Sequence, residues 1–245
     1  MPKKMANIIK YEWLRRWKFF LAGLTVFSLA NIDLTSRLIT KGHPSMVSVI
    51  LIAVLWAMVG ILVFDHLGRM YKPLFGEEGI FVFSTPLSGY NLLGGKILAV
   101  VLEYVGVALF VAIVICLDFL ILSKYNMGMQ LPDGLSLDLV LTRGLMLSLF
   151  LLLGYLSFIL TAYLSMALAK SFLSSVKHGG LMSFIIFIVI TRVLFWMLAG
   201  CNYANMTIEG TGFTSQWLTA VAVVAAVVSA LFAATGYLLD RKVNI

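Results

Sequence analysis

The stretch Leu145-Met146-Leu147-Ser148-Leu149-Phe150-Leu151-Leu152-Leu153 carries a single hydroxyl, Ser148, and is otherwise apolar on every side. A barrel strand alternates lipid-facing and lumen-facing residues, so such a run reads as a helix whose whole surround is apolar. Working outward, the apolar stretch extends over about 143–168, and five others occur at about 19–38, 46–65, 97–122, 179–199 and 216–239. At 1.5 Å per residue each reaches about 30 Å, the hydrocarbon thickness of a bilayer. The first is the weakest, because Asn31, Asp33 and Arg37 occupy its far end, which is expected to lie in polar surroundings.

Composition agrees. The 245 residues are 61% hydrophobic and 12% charged, against about 45–50% and about 25% in ordinary soluble domains. A chain of this length still exposes much of its surface when folded, so that apolar content cannot be hidden in one globule. A soluble enzyme, a disordered chain and a disulfide scaffold are excluded. The expected fold class is all-α integral membrane, with 1–245 a single transmembrane domain of six transmembrane helices and no large soluble part. Cys116 and Cys201 make no CxxC or Cys/His ligand spacing and read as bland thiols.

Orientation follows from Lys and Arg. With the N-terminus cytoplasmic, all of the 18 basic residues fall inside except Arg37, Lys41, Lys124 and Arg143 outside and Arg192 within a span. Both termini are therefore expected in the cytoplasm. The net charge of +7 then reflects topology and anionic headgroups, with no need for nucleic acid. Residues 3–18 place Met5, Ile8, Ile9, Trp13 and Trp17 near one side of a helix and Lys4, Lys10, Arg15 and Lys18 mostly on the other, with Glu12 and Arg16 interrupting the stripe. That pattern predicts an amphipathic interfacial helix over 1–18 before the first span; a basic segment that only fixes topology is the alternative. The triplet Ser28, Leu29, Ala30 after an apolar run also fits a secretory signal, but the basic region is unusually long for one.

Catalytic signatures are missing. Gly89 to Lys96 resembles a phosphate loop until Tyr90 stands where the first glycine belongs and Ile97 where Ser or Thr should hold magnesium. His43, His66 and His178 fall in three connections with no HExxH, and no serine lies in a GxSxG elbow. The chain is expected not to be an enzyme by itself and to bind no metal or cofactor.

The longest cytoplasmic connection runs from about Asp65 to Lys96 and holds Pro73, Gly76, Gly79, Pro86 and Gly89 around the apolar run Ile80 to Phe83. Glu77 and Glu78 precede the run, where carboxylates complement a helix N-terminus, and Pro86 follows, where a helix should stop. A short helix exposing Ile80, Phe81 and Phe83 is predicted. It is either a docking surface or a connector lying in the interface.

Glu77, Glu78 and Gly79, the apolar run, Ser84-Thr85-Pro86-Leu87-Ser88, and Gly95-Lys96 opening the third span together resemble the coupling-helix region of ABC transporter permeases of the type-2 exporter family. The layout is similar too: an amphipathic N-terminal helix, six spans and both termini inside. The resemblance implies a dimer, or a pair with a related permease, that binds cytoplasmic ATP-binding-cassette ATPase subunits through the coupling segment 72–90. ATP and Mg would sit on those partners, and an amphipathic or lipid-like substrate would move outward. It also implies re-entrant helices in the outer segment 197–215, which composition alone reads as a loop. The expected location is a bacterial plasma membrane. The rival readings are a secondary transporter, for which repeated halves are not evident, and a membrane-embedded lipid-modifying enzyme, for which acids and histidines should cluster at one depth.

Three charges within spans need partners or water. Arg192 lies about 20 Å past Gly179, Glu103 about 9 Å past Ile97, and Asp118 about 32 Å past Ile97. Asp118 is the expected neighbour of Arg192. Arg192 either faces a vestibule or subunit interface, where it meets anionic parts of a substrate or lipid, or is a structural ion pair or snorkelling side chain. The small residues Ala220, Ala222, Ala225, Ala226, Ser229, Ala230, Ala233, Ala234 and Gly236 of the last span are most simply intramolecular packing, with a dimer seam the less favoured reading.

Overall fold

The computed structural model describes residues 2–40, 46–76, 88–124, 137–172, 179–199 and 213–241, and no strand occurs among them. Six helices carry the chain: α1 (Pro2–Ile39), α2 (Met46–Phe75), α3 (Gly89–Lys124), α4 (Leu137–Phe172), α5 (Gly179–Ala199) and α6 (Phe213–Arg241). Each contains a segment long and apolar enough to cross a membrane: Arg16–Arg37, Met46–Phe75, Gly89–Ile121, Thr142–Phe172, Gly179–Met197 and Trp217–Arg241. The chain is thus built as a multi-pass membrane protein.

The spans sit where hydropathy places them, but three helices run further. In α1 the segment before the first span and the span itself are one unbroken helix of 38 residues, with no Pro or Gly between Lys3 and Ala22 to interrupt it. In α2 the helix continues ten residues past Asp65, through Pro73 to Phe75. Proline has no N–H, so the Arg69 carbonyl loses its normal partner four residues on. The Lys96 ammonium donates to that carbonyl instead, and the Gly76 N–H closes the last turn on the Lys72 carbonyl at 2.8 Å. In α3 the helix starts at Gly89, with Gly94 and Gly95 inside it rather than in a loop. The connection between α2 and α3 is accordingly shorter than sequence suggests.

Two compact units are present. Unit 1 comprises Met1–Asp65 and Leu98–Leu145; unit 2 comprises His66–Ile97 and Met146–Ile245. Unit 2 has the larger core. Leu156, Ile159, Leu160, Tyr163 and Ala167 form a buried stripe at helical spacing on α4, and Met70, Leu74, Leu93, Leu231 and Leu239 are buried from α2, α3 and α6. Unit 1 buries little beyond Ala30, Thr35, Ser48, Ala99, Val100 and Glu103, while Trp56, Phe64, Leu109 and Leu145 are exposed. Lipid tails are as apolar as these side chains, so such a surface requires no cover in a bilayer.

Candidate functional site

In unit 1 the polar groups form two clusters along α1. The first centres on Arg16, at the start of the span. Its Nη2 donates to Asp65 Oδ1 at 3.0 Å, its Nη1 lies 2.8 Å from Asp65 Oδ2, and Glu103 Oε1 is 3.8 Å from the same nitrogen. The guanidinium fork thus meets both oxygens of one carboxylate and stands beside a second. Glu103 is buried, the Arg16 side chain is 13% exposed and Asp65 is 44% exposed, so the guanidinium lies between a buried carboxylate and a solvated one. Hydropathy marks Arg16 only as an interruption of the amphipathic stripe; an acid at the end of the second apolar stretch is the signal that pairs with it.

The second cluster begins at Asn31, 15 residues or about 22 Å further along α1. Asn31 Nδ2 donates to both oxygens of Asp118, each at 2.9 Å, and the Thr35 hydroxyl donates to Oδ1 at 3.1 Å. Asn31 and Thr35 stand one turn apart and so share the face toward α3. Arg37 Nε reaches the Asp33 oxygens at 3.2 and 3.3 Å, and the Ser48 hydroxyl also donates to Asp33. These are the polar surroundings expected for the far end of α1.

In unit 2 several hydroxyls are satisfied locally, as are those of Thr25 and Ser28 in unit 1. The hydroxyls of Thr161, Ser165, Ser183 and Thr235 bond back to carbonyls of their own helices at 2.7 Å. His66 is buried and pairs through Nδ1 with the Tyr155 hydroxyl, while the Tyr163 hydroxyl donates to the His66 carbonyl at 2.8 Å. Sequence reading put His66 in a connection; it belongs to α2.

The flanks of the α2–α3 connection are braced within this unit. A Cβ at Gly179 would come 2.6 Å from the Phe75 ring, and one at Gly180 would come 3.0 Å from the Tyr71 hydroxyl, so the end of α2 abuts the start of α5. Lys170 of α4 stands 6.0 Å over the Phe75 ring. Across from them the Gly89 N–H donates to Asp240 Oδ1 at 2.9 Å, and Tyr90 donates to the Ala233 carbonyl at 3.3 Å. A Cβ at Gly89 would fall 2.6 Å from the Asp240 nitrogen, and one at Gly236 would fall 2.4 Å from the Tyr90 ring. Only glycine permits α3 and α6 to meet this closely.

Glu77, Glu78, Ile80, Phe81 and Phe83 lie outside the described residues, as do His43, His178 and the stretch 200–212. Glu103 joins Arg16, and Asp118 joins Asn31 and Thr35. Arg192 is exposed on α5 and makes no hydrogen bond or ion pair with a described residue. In α6 only Ala220 and Gly236 among the small residues are buried; Ala222, Ala226, Ser229, Ala230, Ala233 and Ala234 are exposed, so intramolecular packing does not account for them. No group of three His, Cys, Asp or Glu side chains able to hold a metal occurs among the described residues. Comparison with protein-family models, curated proteins and solved structures finds no match.

Proposed function

We propose that the chain is the membrane-spanning permease subunit of an ATP-driven exporter, moving an amphipathic or lipid-like substrate outward with ATP hydrolysed by a separate cytoplasmic subunit. The observation that carries this reading is the bracing of the segment between α2 and α3. Both its flanks are helix ends pinned against α4, α5 and α6 by Phe75, Tyr71, Gly89 and Tyr90 contacts. A loop that merely reverses the chain has no use for rigid mounts. A segment that receives a push does, because packed helix ends transmit displacement as rigid bodies.

In this mechanism closure of nucleotide-bound ATPase subunits presses on residues 72–90. The displacement passes through the ends of α2 and α3 into unit 2 and changes access to the substrate path. Glu77 and Glu78 supply charge for the partner contact, and Ile80, Phe81 and Phe83 supply apolar anchors. ATP and Mg belong to the partner. A second permease copy, or a related permease, completes the transporter.

The test is co-purification of the tagged chain from its host in mild detergent. The expected result is a soluble partner with vanadate-sensitive ATP hydrolysis that the permease alone lacks, and its loss in a Phe81→Ala, Phe83→Ala variant that still folds. Undiminished binding by that variant removes the assigned contact. A chain that purifies without any ATPase removes the exporter reading and favours a secondary transporter.

A further inference from the structure

Arg192 is a charge on an exposed helix face in the membrane, and such a charge is costly unless something answers it. It makes no hydrogen bond or ion pair with a described residue. Its surroundings on α5 are informative. Ile188 and Val189 stand one turn before it, Phe195 and Trp196 one turn after, and all four are exposed, Trp196 to 78%. No Asp or Glu occurs anywhere in α5.

Depth fixes what can reach it. Arg192 stands five residues before Met197, where the span ends, about 8 Å along the axis. An arginine side chain snorkelling along the helix covers most of that distance, toward headgroup level and the turn that carries Trp196. Below it Ile188 and Val189 present branched aliphatic surface at the depth of acyl chains. A cation, an interfacial aromatic and an apolar strip in that order match a phospholipid from phosphate to tail.

We infer that α5 carries a binding site for one anionic phospholipid, with Arg192 on the phosphate, Trp196 at the glycerol level and Ile188 and Val189 along an acyl chain. Charge selects the lipid. With no acid on α5, a zwitterionic headgroup finds no carboxylate there for its ammonium, whereas a net-negative one loses nothing. A second copy of the chain is the poorer occupant, because the carboxylates it would bring from its spans are engaged: Asp65 and Glu103 with Arg16, Asp118 with Asn31 and Thr35. The inference requires only that α5 spans a bilayer and does not depend on the exporter reading.

The experiment uses the full chain in nanodiscs of equal phosphatidylcholine and phosphatidylglycerol, with retained lipid counted by native mass spectrometry after release. Wild type is expected to retain phosphatidylglycerol in preference to phosphatidylcholine. Arg192→Leu, which puts a better lipid-facing residue in the span and so leaves folding intact, is expected to lower that preference about fivefold, the worth of one basic residue at a charged surface. Arg192→Lys keeps most of it, and Trp196→Leu shortens lipid residence without erasing the charge preference. An undiminished preference in Arg192→Leu overturns the site, and does so equally if that variant dissociates a dimer, since the occupant is then protein.

Discussion

Units 1 and 2 hold their helices together by different means. Unit 1 joins α1 to α2 and α3 by side chains that bear or receive charge, around Arg16 and around Asp118, and buries few apolar residues. Unit 2 turns the Thr161 and Thr235 hydroxyls onto their own helices and closes α3 on α6 and α2 on α5 through glycine. Lipid gives apolar side chains no drive to associate, so helices need either polar pairs or close backbone contact. This chain leans on charged pairs in unit 1 and on glycine contacts in unit 2, where His66 and Tyr155 add a polar pair between α2 and α4. The two should fail under different substitutions.

The largest effect is expected from Arg16→Leu. It removes the cation that stands between Asp65 and the buried Glu103, and with Asp65 partly exposed the cost is expected at about 3 kcal/mol, the low end for breaking a buried pair. Unfolding by detergent titration measures it, and adding Glu103→Gln should recover part of the loss. Without that recovery, Arg16 matters only as a topology signal. Next comes a pair of glycines. Gly89→Ala drives a methyl group into the Asp240 backbone and should cost about 2 kcal/mol by overpacking. Gly106→Ala, in unit 1, meets nothing within 4 Å and should leave stability within about 0.5 kcal/mol. Equal costs at the two sites would erase the distinction between the units. The smallest effect is expected from Asn31→Leu, which removes the amide's hydrogen bonds to the Asp118 carboxylate while Thr35 keeps its own; hydrogen bonds between membrane helices average about 0.6 kcal/mol, again read by detergent titration.

Hydropathy reveals the six spans because lipid demands uninterrupted apolar surface, and each lies close to the helix that carries it. It does not reveal where the helices stop. The added turns of α2 and α3 contain Asp65, Arg69, Lys72, Pro73, Asn91, Gly94 and Gly95, residue types that signal loops when read locally. Their helical state depends on Lys96 and on glycine contacts with α5 and α6, partners remote in sequence. The Asp118 cluster was legible in part, since Asn31 demands polar company, but which acid supplies it is a matter of helix packing. Arg192 was legible as a charge in an apolar run; its exposure was not.

The bond from Lys96 to the Arg69 carbonyl has a consequence for biosynthesis. As the chain leaves the ribosome, α2 is complete in sequence at Phe75, yet its final turn lacks the donor that Pro73 cannot supply until Lys96 has been translated. The last turn of α2 therefore gains this donor only after the connection behind it and the opening of α3 have been made, so the finished end of α2 is a joint product of both helices.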